Sequence, residues 1–268
     1  MTNKNKTMTK IGIFIVGVCL CGWLGKAIDM ILIDQPKGQS LGSLIWLISP
    51  AILSLILVLL FDRPSRYMGL RGNLKGNTGL YLLAVLIFPV LAVVLLFLGC
   101  LSHVIVLQND HVDKILSAFV MWFVISFFRT ILEEIAWRGY LTERLLRWNI
   151  SDWKLYAGVT FVWGTWHIPY YLFFFHNGNA VGLITSCYFN LACWSLLFTE
   201  IYRWTRSIWP CVLLHAAANA VQYLMLEDYF VISANWNILL LPGTGILSCG
   251  ICIIAGMMVR SMRIKREP

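Results

Sequence analysis

Hydrophobic residues run through this chain in long continuous stretches, separated by short polar segments. Eight such stretches stand out, at about residues 11–33, 41–61, 80–101, 115–141, 155–175, 181–202, 208–226 and 236–259. Each is near the ~20 residues an α-helix needs to cross a bilayer. They are continuous rather than alternating, which excludes a closed barrel and leaves helices as the spanning element. The fourth is the least regular, because charges fall in its second half. No internal repeat or low-complexity linker breaks the series. The pattern therefore predicts an all-α polytopic membrane protein of about eight transmembrane helices. Residues 1–268 are expected to form a single integral-membrane helical domain with its chemistry in residues 115–226. The first ten residues are polar and basic, and the apolar run behind them has no small-residue cleavage site. The first helix is expected to be retained rather than removed as a signal peptide.

Composition agrees with that reading. With 59% hydrophobic and 13% charged residues and a mean hydropathy of +0.75, the chain is outside the range of a soluble domain of its length. The net charge of +8 would suit a nucleic-acid partner, but its placement assigns it elsewhere. Lys4, Lys6 and Lys10 precede the first stretch, and Arg63, Arg66, Arg71 and Lys75 follow the second. Arg138, Arg144, Arg147 and Lys154 lie between the fourth and the fifth, Arg203 and Arg206 after the sixth, and Arg260, Arg263, Lys265 and Arg266 after the eighth. These are 17 of the 21 basic residues, all on one side if the eight spans alternate. The turn after the seventh carries Glu227 and Asp228 instead. This is the positive-inside pattern, with both termini cytoplasmic. The basic excess thus reads as topology and contact with anionic membrane lipids, with no nucleic acid implied.

All eight cysteines fall in or beside apolar stretches. Cys249 and Cys252 have the spacing of a redox or metal pair, but neither a second pair nor an adjacent histidine accompanies them, and small buried helix residues are the simpler reading. His103, His111 and His176 sit near the non-cytoplasmic ends, where they are expected to be solvated. Lys26 and Asp29 read as an interfacial pair, and Asn190 and Glu200 as partners in interhelical bonding.

Against this apolar background, polar residues at membrane depth stand out. Glu133 and Glu134 are adjacent in the fourth stretch, where even the milder scales charge about 2.5–3.5 kcal/mol for an ionised side chain. Glu133 is about 12 Å of helix from Leu141, His167 about 18 Å into the fifth stretch, and His215 and Asn219 about 10 Å and 16 Å into the seventh, at 1.5 Å per residue. Three helices thus bring Glu, His, His and Asn to comparable depth in the cytoplasmic half of the bilayer. His215 and Asn219 are four apart and share a face, with only Ala216, Ala217 and Ala218 between them. Glu134 and Arg138 are four apart with the acid first, the better orientation for an ion pair within a helix. Glu133 points about 100° away from Glu134 and is open to a different role; Arg129, one turn before it, offers simple neutralisation as the structural alternative. Pro169 cannot donate to the Thr165 carbonyl, so the fifth helix is expected to kink beside His167.

The chemistry open to such a group is hydrolysis. A buried carboxylate can act as a general base toward water, and a histidine opposite it can hold the same water and pass the proton on. A His and an Asn side by side can donate hydrogen bonds to a developing oxyanion. Glu133, His167 and His215 could alternatively hold a zinc ion with an open position for water.

The sequences Glu133-Glu134-Ile-Ala-Trp-Arg138, Trp163-Gly-Thr-Trp-His167 and His215-Ala-Ala-Ala-Asn219 resemble the three motifs of the CPBP family, the CAAX-protease and bacteriocin-processing proteins also called Abi, which includes the type II CAAX prenyl protease. Those motifs run EExxxR, FxxxH and HxxxN or HxxxD, and here they occur in order from Glu133 to Asn219. The one departure is Trp163, where the pattern usually has Phe; the larger ring is expected to narrow the cavity. The resemblance implies an eight-helix intramembrane endopeptidase acting on a peptide or protein substrate, lipid-modified in one branch of the family, and located in the plasma (inner) membrane if the chain is prokaryotic. It implies Glu133 and His167 as the groups that activate water, His215 and Asn219 as the oxyanion site, and Glu134 and Arg138 as support, with Glu134 the alternative base. No cofactor is implied, with zinc the alternative.

Two other classes stay open at this level: a non-proteolytic scaffold or bacteriocin-immunity protein of the same family, and a transporter using the carboxylates as proton relays. The absence of repeats and of paired Gly-broken helices in the sequence weighs against transport.

Overall fold

The computed structural model describes all residues except 1, 2, 33, 34, 37, 38, 62–66, 109–112, 176–178, 228, 234, 235, 267 and 268. Arg63, Arg66, His111, His176 and Asp228 lie outside the described residues. All eight apolar stretches form helices: α1 (Asn3–Ile31), α2 (Leu41–Phe61), α3 (Thr78–Leu101), α4 (Ile115–Glu134), α6 (Asp152–Pro169), α7 (Ala180–Thr205), α8 (Trp209–Leu226) and α10 (Ile246–Arg266). Two short helices, α5 (Glu143–Leu146) and α9 (Asn237–Leu240), lie between them.

Among the described residues, six helices, α1 to α4, α7 and α10, are long and apolar enough to cross a membrane. α6 and α8 have 18 residues each, and His167 in one and His215, Asn219 and Gln222 in the other dilute their apolar character. Large apolar side chains such as Leu24, Leu60, Val93, Phe97, Leu116 and Ile254 are exposed along the helices. A soluble protein does not leave so much apolar surface in water; a bilayer is its natural solvent. The chain is an all-α, multi-pass integral membrane protein.

Four local features differ from the pattern read in the sequence. The last long helix starts at Ile246 rather than near residue 236, because Pro242 and Gly243, the latter at φ +88°, break the run. Arg260, Arg263, Lys265 and Arg266 consequently lie inside α10 instead of beyond it. α4 ends at Glu134 and continues as a π-helix over Ile135–Thr142. α6 changes to a π-helix, Tyr170–Phe174, directly after Pro169, which is how the helix absorbs the missing proline donor. Finally, β1 (Ile105–Leu107) and β2 (Phe230–Ile232) pair antiparallel, Ile105 opposite Ile232. These are β-branched and aromatic triplets outside the helices, the composition that favours strands.

The helices sort into two compact units, Met1–Leu70 with Leu132–Ser195, and Arg71–Ile131 with Leu196–Pro268. In the first unit α1 packs on α2 through Gly25 and Gly42, where a Cβ on either would meet the other's carbonyl. Asp29 caps the start of α2, its Oδ1 accepting from the Gly42 N–H at 2.7 Å and its Oδ2 from the Ser40 hydroxyl at 2.5 Å. The expected Lys26–Asp29 pair is therefore not formed; Lys26 lies 6.0 Å from the centre of the Phe173 ring. α2 meets α6 through Trp46 and Trp166, stacked at 4.1 Å, each indole N–H donating to the other's carbonyl. Arg144 donates to the Tyr67 carbonyl at 3.0 Å and lies 4.6 Å from the Tyr140 ring centre, fastening the segment before residue 70 to the π-helix.

In the second unit, Glu200 on α7 accepts from Arg263 on α10 at 2.6 Å and from Arg203 at 3.1 Å, which is the interhelical bonding expected of it. Asn73 donates its amide to the carbonyls of Thr205 and Arg206, and the Tyr81 hydroxyl to the Gly72 carbonyl. The Thr130 hydroxyl donates to the Val212 carbonyl at 3.3 Å, tying α4 to α8. Cys249 and Cys252 are buried in α10 with no disulfide between them, and His103 is exposed.

Candidate active site

In the first unit, Glu133 lies at the last turn of α4 and is 6% exposed. Its Oε2 accepts from the indole N–H of Trp163 at 3.0 Å and from that of Trp137, one turn further along its own helix, at 3.4 Å. Two apolar rings thus supply the polar contacts that a carboxylate needs once it has left water. Glu134 faces elsewhere. Both of its oxygens lie 3.1 Å from Nη1 of Arg138, and both side chains are wholly buried. The Arg138 guanidinium lies 4.4 Å from the centre of the Trp163 ring. The two glutamates are therefore unequal, as their angular separation implies. One is in an internal ion pair; the other meets two indole donors.

His167 is half-buried on α6, two residues before Pro169. Its Nδ1 is 3.0 Å from the Trp163 carbonyl. A carbonyl can only accept, so Nδ1 carries the proton and Nε2 is the acceptor nitrogen of the neutral ring. Aromatic rings enclose the imidazole: Trp166 at 4.6 Å, Trp46 at 5.9 Å and Tyr171 stacked at 6.1 Å between centres. Trp163 thus touches both candidate groups, His167 through its backbone and Glu133 through its side chain. Gly164 next to it leaves space that the Tyr188 ring of α7 fills, holding α6 against that helix.

The departure from the family pattern at Trp163 acquires a physical meaning here. A phenylalanine would fill the position and face Arg138, but it has no N–H for Glu133. In the sequence Trp163 stands as an aromatic packing position that faces the site, with no sign of its hydrogen bond to Glu133, and Trp137 is not singled out. Trp137 was detectable as the residue four after Glu133, on the same face; the Trp163 contact joins different helices and had no local signal.

In the second unit, α8 is α-helical throughout, so His215 and Asn219 share one face as expected. His215 is 4% exposed and meets the Phe198 ring edge-on at 5.8 Å. Asn219 is half-buried, and its amide has no hydrogen-bond partner among the described residues. Ala216, Ala217 and Ala218 are fully buried, so the small residues serve close helix packing. Arg129, on α4 within the same unit, donates to the Tyr223 hydroxyl at 2.7 Å, and Trp122 stacks on Tyr223 at 4.6 Å.

Among the described residues no group of three His, Cys, Asp or Glu side chains is gathered as a set that could hold a metal ion. No curated protein was found to match the chain. Residues 115–221 match the family model described as type II CAAX prenyl endopeptidase Rce1-like. That segment contains all seven positions of the three motifs, from Glu133 to Asn219. The match supports assigning this chain to the CAAX-protease (CPBP) family of membrane endopeptidases.

Proposed function

We propose that the protein is an intramembrane endopeptidase that uses Glu133 and His167 to activate water and His215 and Asn219 to stabilise the oxyanion. The observation that carries the reading is the double contact of Trp163, which holds the Glu133 carboxylate by its indole N–H and the His167 ring by its carbonyl. A general base and its partner need fixed orientations, and one residue supplies both. In the proposed reaction Glu133 takes a proton from water as the oxygen attacks the scissile carbonyl carbon. The carbonyl oxygen becomes an oxyanion and accepts hydrogen bonds from His215 and the Asn219 amide. The carbon–nitrogen bond then breaks, and the proton passes to the departing amine, leaving a carboxylic acid and an amine. His167, with Nε2 as acceptor, holds the attacking water. Glu134 and Arg138 act as support behind Trp163. Indole donors on Glu133 favour a hydrogen-bonded base over a zinc ligand at that carboxylate. The substrate is a peptide or protein segment that reaches the site from the cytoplasmic side, and the host membrane is the plasma (inner) membrane if the chain is prokaryotic.

The test is cleavage of a peptide that the wild-type protein cuts, in detergent or in vesicles. Glu133→Gln and His167→Ala are expected to lower kcat by about 10²–10⁴ each, and Asn219→Ala by about 10²–10³, with insertion and folding unchanged. Full activity in a folded Glu133→Gln variant would remove the proposal. Rescue of a deletion phenotype by that variant would instead support a non-proteolytic member of the family.

A further inference from the structure

The second unit contains a cleft of about 440 Å³, far in sequence from Glu133 and His167, between the start of α3, the end of α7 and the second half of α10. Its walls are apolar: Leu80 and Leu83 on α3, Trp204 on α7, and Ala255, Met258 and Met262 on α10. The size falls within the ~300–1,000 Å³ of ordinary ligand pockets. Gly76 and Gly79 at its edge have open space where a side chain would stand.

The charge around this cleft is one-sided. Residues 71–83, 200–207 and 255–266, which form its walls and rim, include eight basic residues and one acidic residue, Glu200. Glu200 is shared by Arg203 and Arg263, so its single charge does not cancel even those two. Lys75 precedes the lining residue Gly76 and is exposed, as are Arg206, Lys265 and Arg266. The Arg266 guanidinium lies 5.3 Å from the centre of the Trp204 ring, which puts a cation against the cleft wall.

An apolar slot under a rim with the exposed cations Lys75 and Arg266 has the polarity of one amphiphile abundant in the surroundings of a membrane protein. We infer that this cleft binds an anionic phospholipid, an acyl chain lying along Leu80, Leu83, Met258 and Met262 and the phosphate meeting Lys75 and Arg266. A zwitterionic lipid would bring its own cation to the same rim and lose much of the attraction. The cleft uses none of the residues assigned to hydrolysis, so the inference stands apart from the proposed reaction.

Native mass spectrometry of the purified protein, titrated with phosphatidylglycerol or phosphatidylcholine, tests it. Phosphatidylglycerol is expected to bind roughly 25-fold more tightly, about fivefold for each of the two rim cations. Neutralising both rim cations, Lys75→Gln with Arg266→Gln, is expected to reduce that preference roughly 25-fold, at about 1 kcal/mol or fivefold per basic residue, and to leave phosphatidylcholine binding unchanged. Both positions are exposed, so the variant retains its fold. Ala255→Phe, which fills the cleft, is expected to weaken both lipids. Equal affinity for the two lipids, or a preference unaltered in the charge variant, overturns the inference. Competition by glycerol phosphate as strong as that by the whole lipid also overturns it, since the site would then hold an anion without using the cleft.

Discussion

Trp163 carries more of the candidate site than any other single side chain. Its indole N–H meets Glu133, its ring faces Arg138, and its carbonyl holds His167. Trp163→Phe keeps an aromatic ring and the backbone and deletes the N–H together with the five-membered part of the indole. A hydrogen bond to a charged group contributes roughly 1.5–3 kcal/mol, so kcat/KM is expected to fall about tenfold or more, and the smaller ring at a fully buried position is expected to lower the unfolding temperature as well. Unchanged kcat/KM in that variant would show that the indole does not position the base. The neighbouring pair behaves differently. Arg138→Leu leaves Glu134 charged in a wholly buried position and is expected to destabilise by about 3–5 kcal/mol. The double variant Glu134→Leu with Arg138→Leu removes both charges and is expected to recover much of that loss in thermal unfolding. A double variant no more stable than the single one would argue that the pair has further partners the fold depends on.

At the scale of elements, the eight helices were legible because apolar runs of this length have no other stable form in a bilayer. The motif residues were legible because ionisable groups at such depth are rare. What the sequence withheld were features decided by contacts between helices or by a local break. The π-helices after Glu134 and Pro169 follow the two candidate groups directly, yet residues 135–142 have no proline to announce the change. The start of α10 was misplaced because residues 236–241 are as apolar as the helix proper, and only the four residues 242–245, Pro-Gly-Thr-Gly, separate them. That shift has an energetic consequence. It brings Arg263 inside a packed helix, 3% exposed, against Glu200 on α7. Arg263→Ala leaves Glu200 buried with Arg203 as its remaining ion-pair partner in α7, and is expected to cost about 3–5 kcal/mol. A thermal unfolding shift no larger than that of a lipid-facing substitution such as Met257→Ala would show that Arg203 alone suffices.

At the scale of the whole molecule, the motif helices α6 and α8 are not among the six long and apolar enough to cross a membrane, and the proposed chemistry requires both to cross. Contacts within the second unit bear on this by parity. Asn73, in the segment after α2, donates to the carbonyls of Thr205 and Arg206 at the end of α7, so those two segments lie at one end of the unit. α3, α4 and α7 are three crossings between them, and a return to the same side needs an even number, which α6 supplies. β1 after α3 pairs with β2 after α8. The crossings between these strands are α4, α6, α7 and α8, an even number only if α8 crosses too. Eight crossings put Arg206 on the same side as Lys75 and opposite His103; six, without α6 and α8, put Arg206 on the side of His103. The basic residues Arg203 and Arg206 favour the first arrangement, on the cytoplasmic side. In a background with the eight cysteines replaced, single cysteines at Lys75, His103 and Arg206, all exposed, distinguish the two. A membrane-impermeant maleimide added to intact cells is expected to label position 103 and spare positions 75 and 206, and to reach all three after permeabilisation. Labelling of position 206 in intact cells alongside 103 would reduce the crossings to six and take His167 and His215 out of spanning helices, and the proposed hydrolytic site with them.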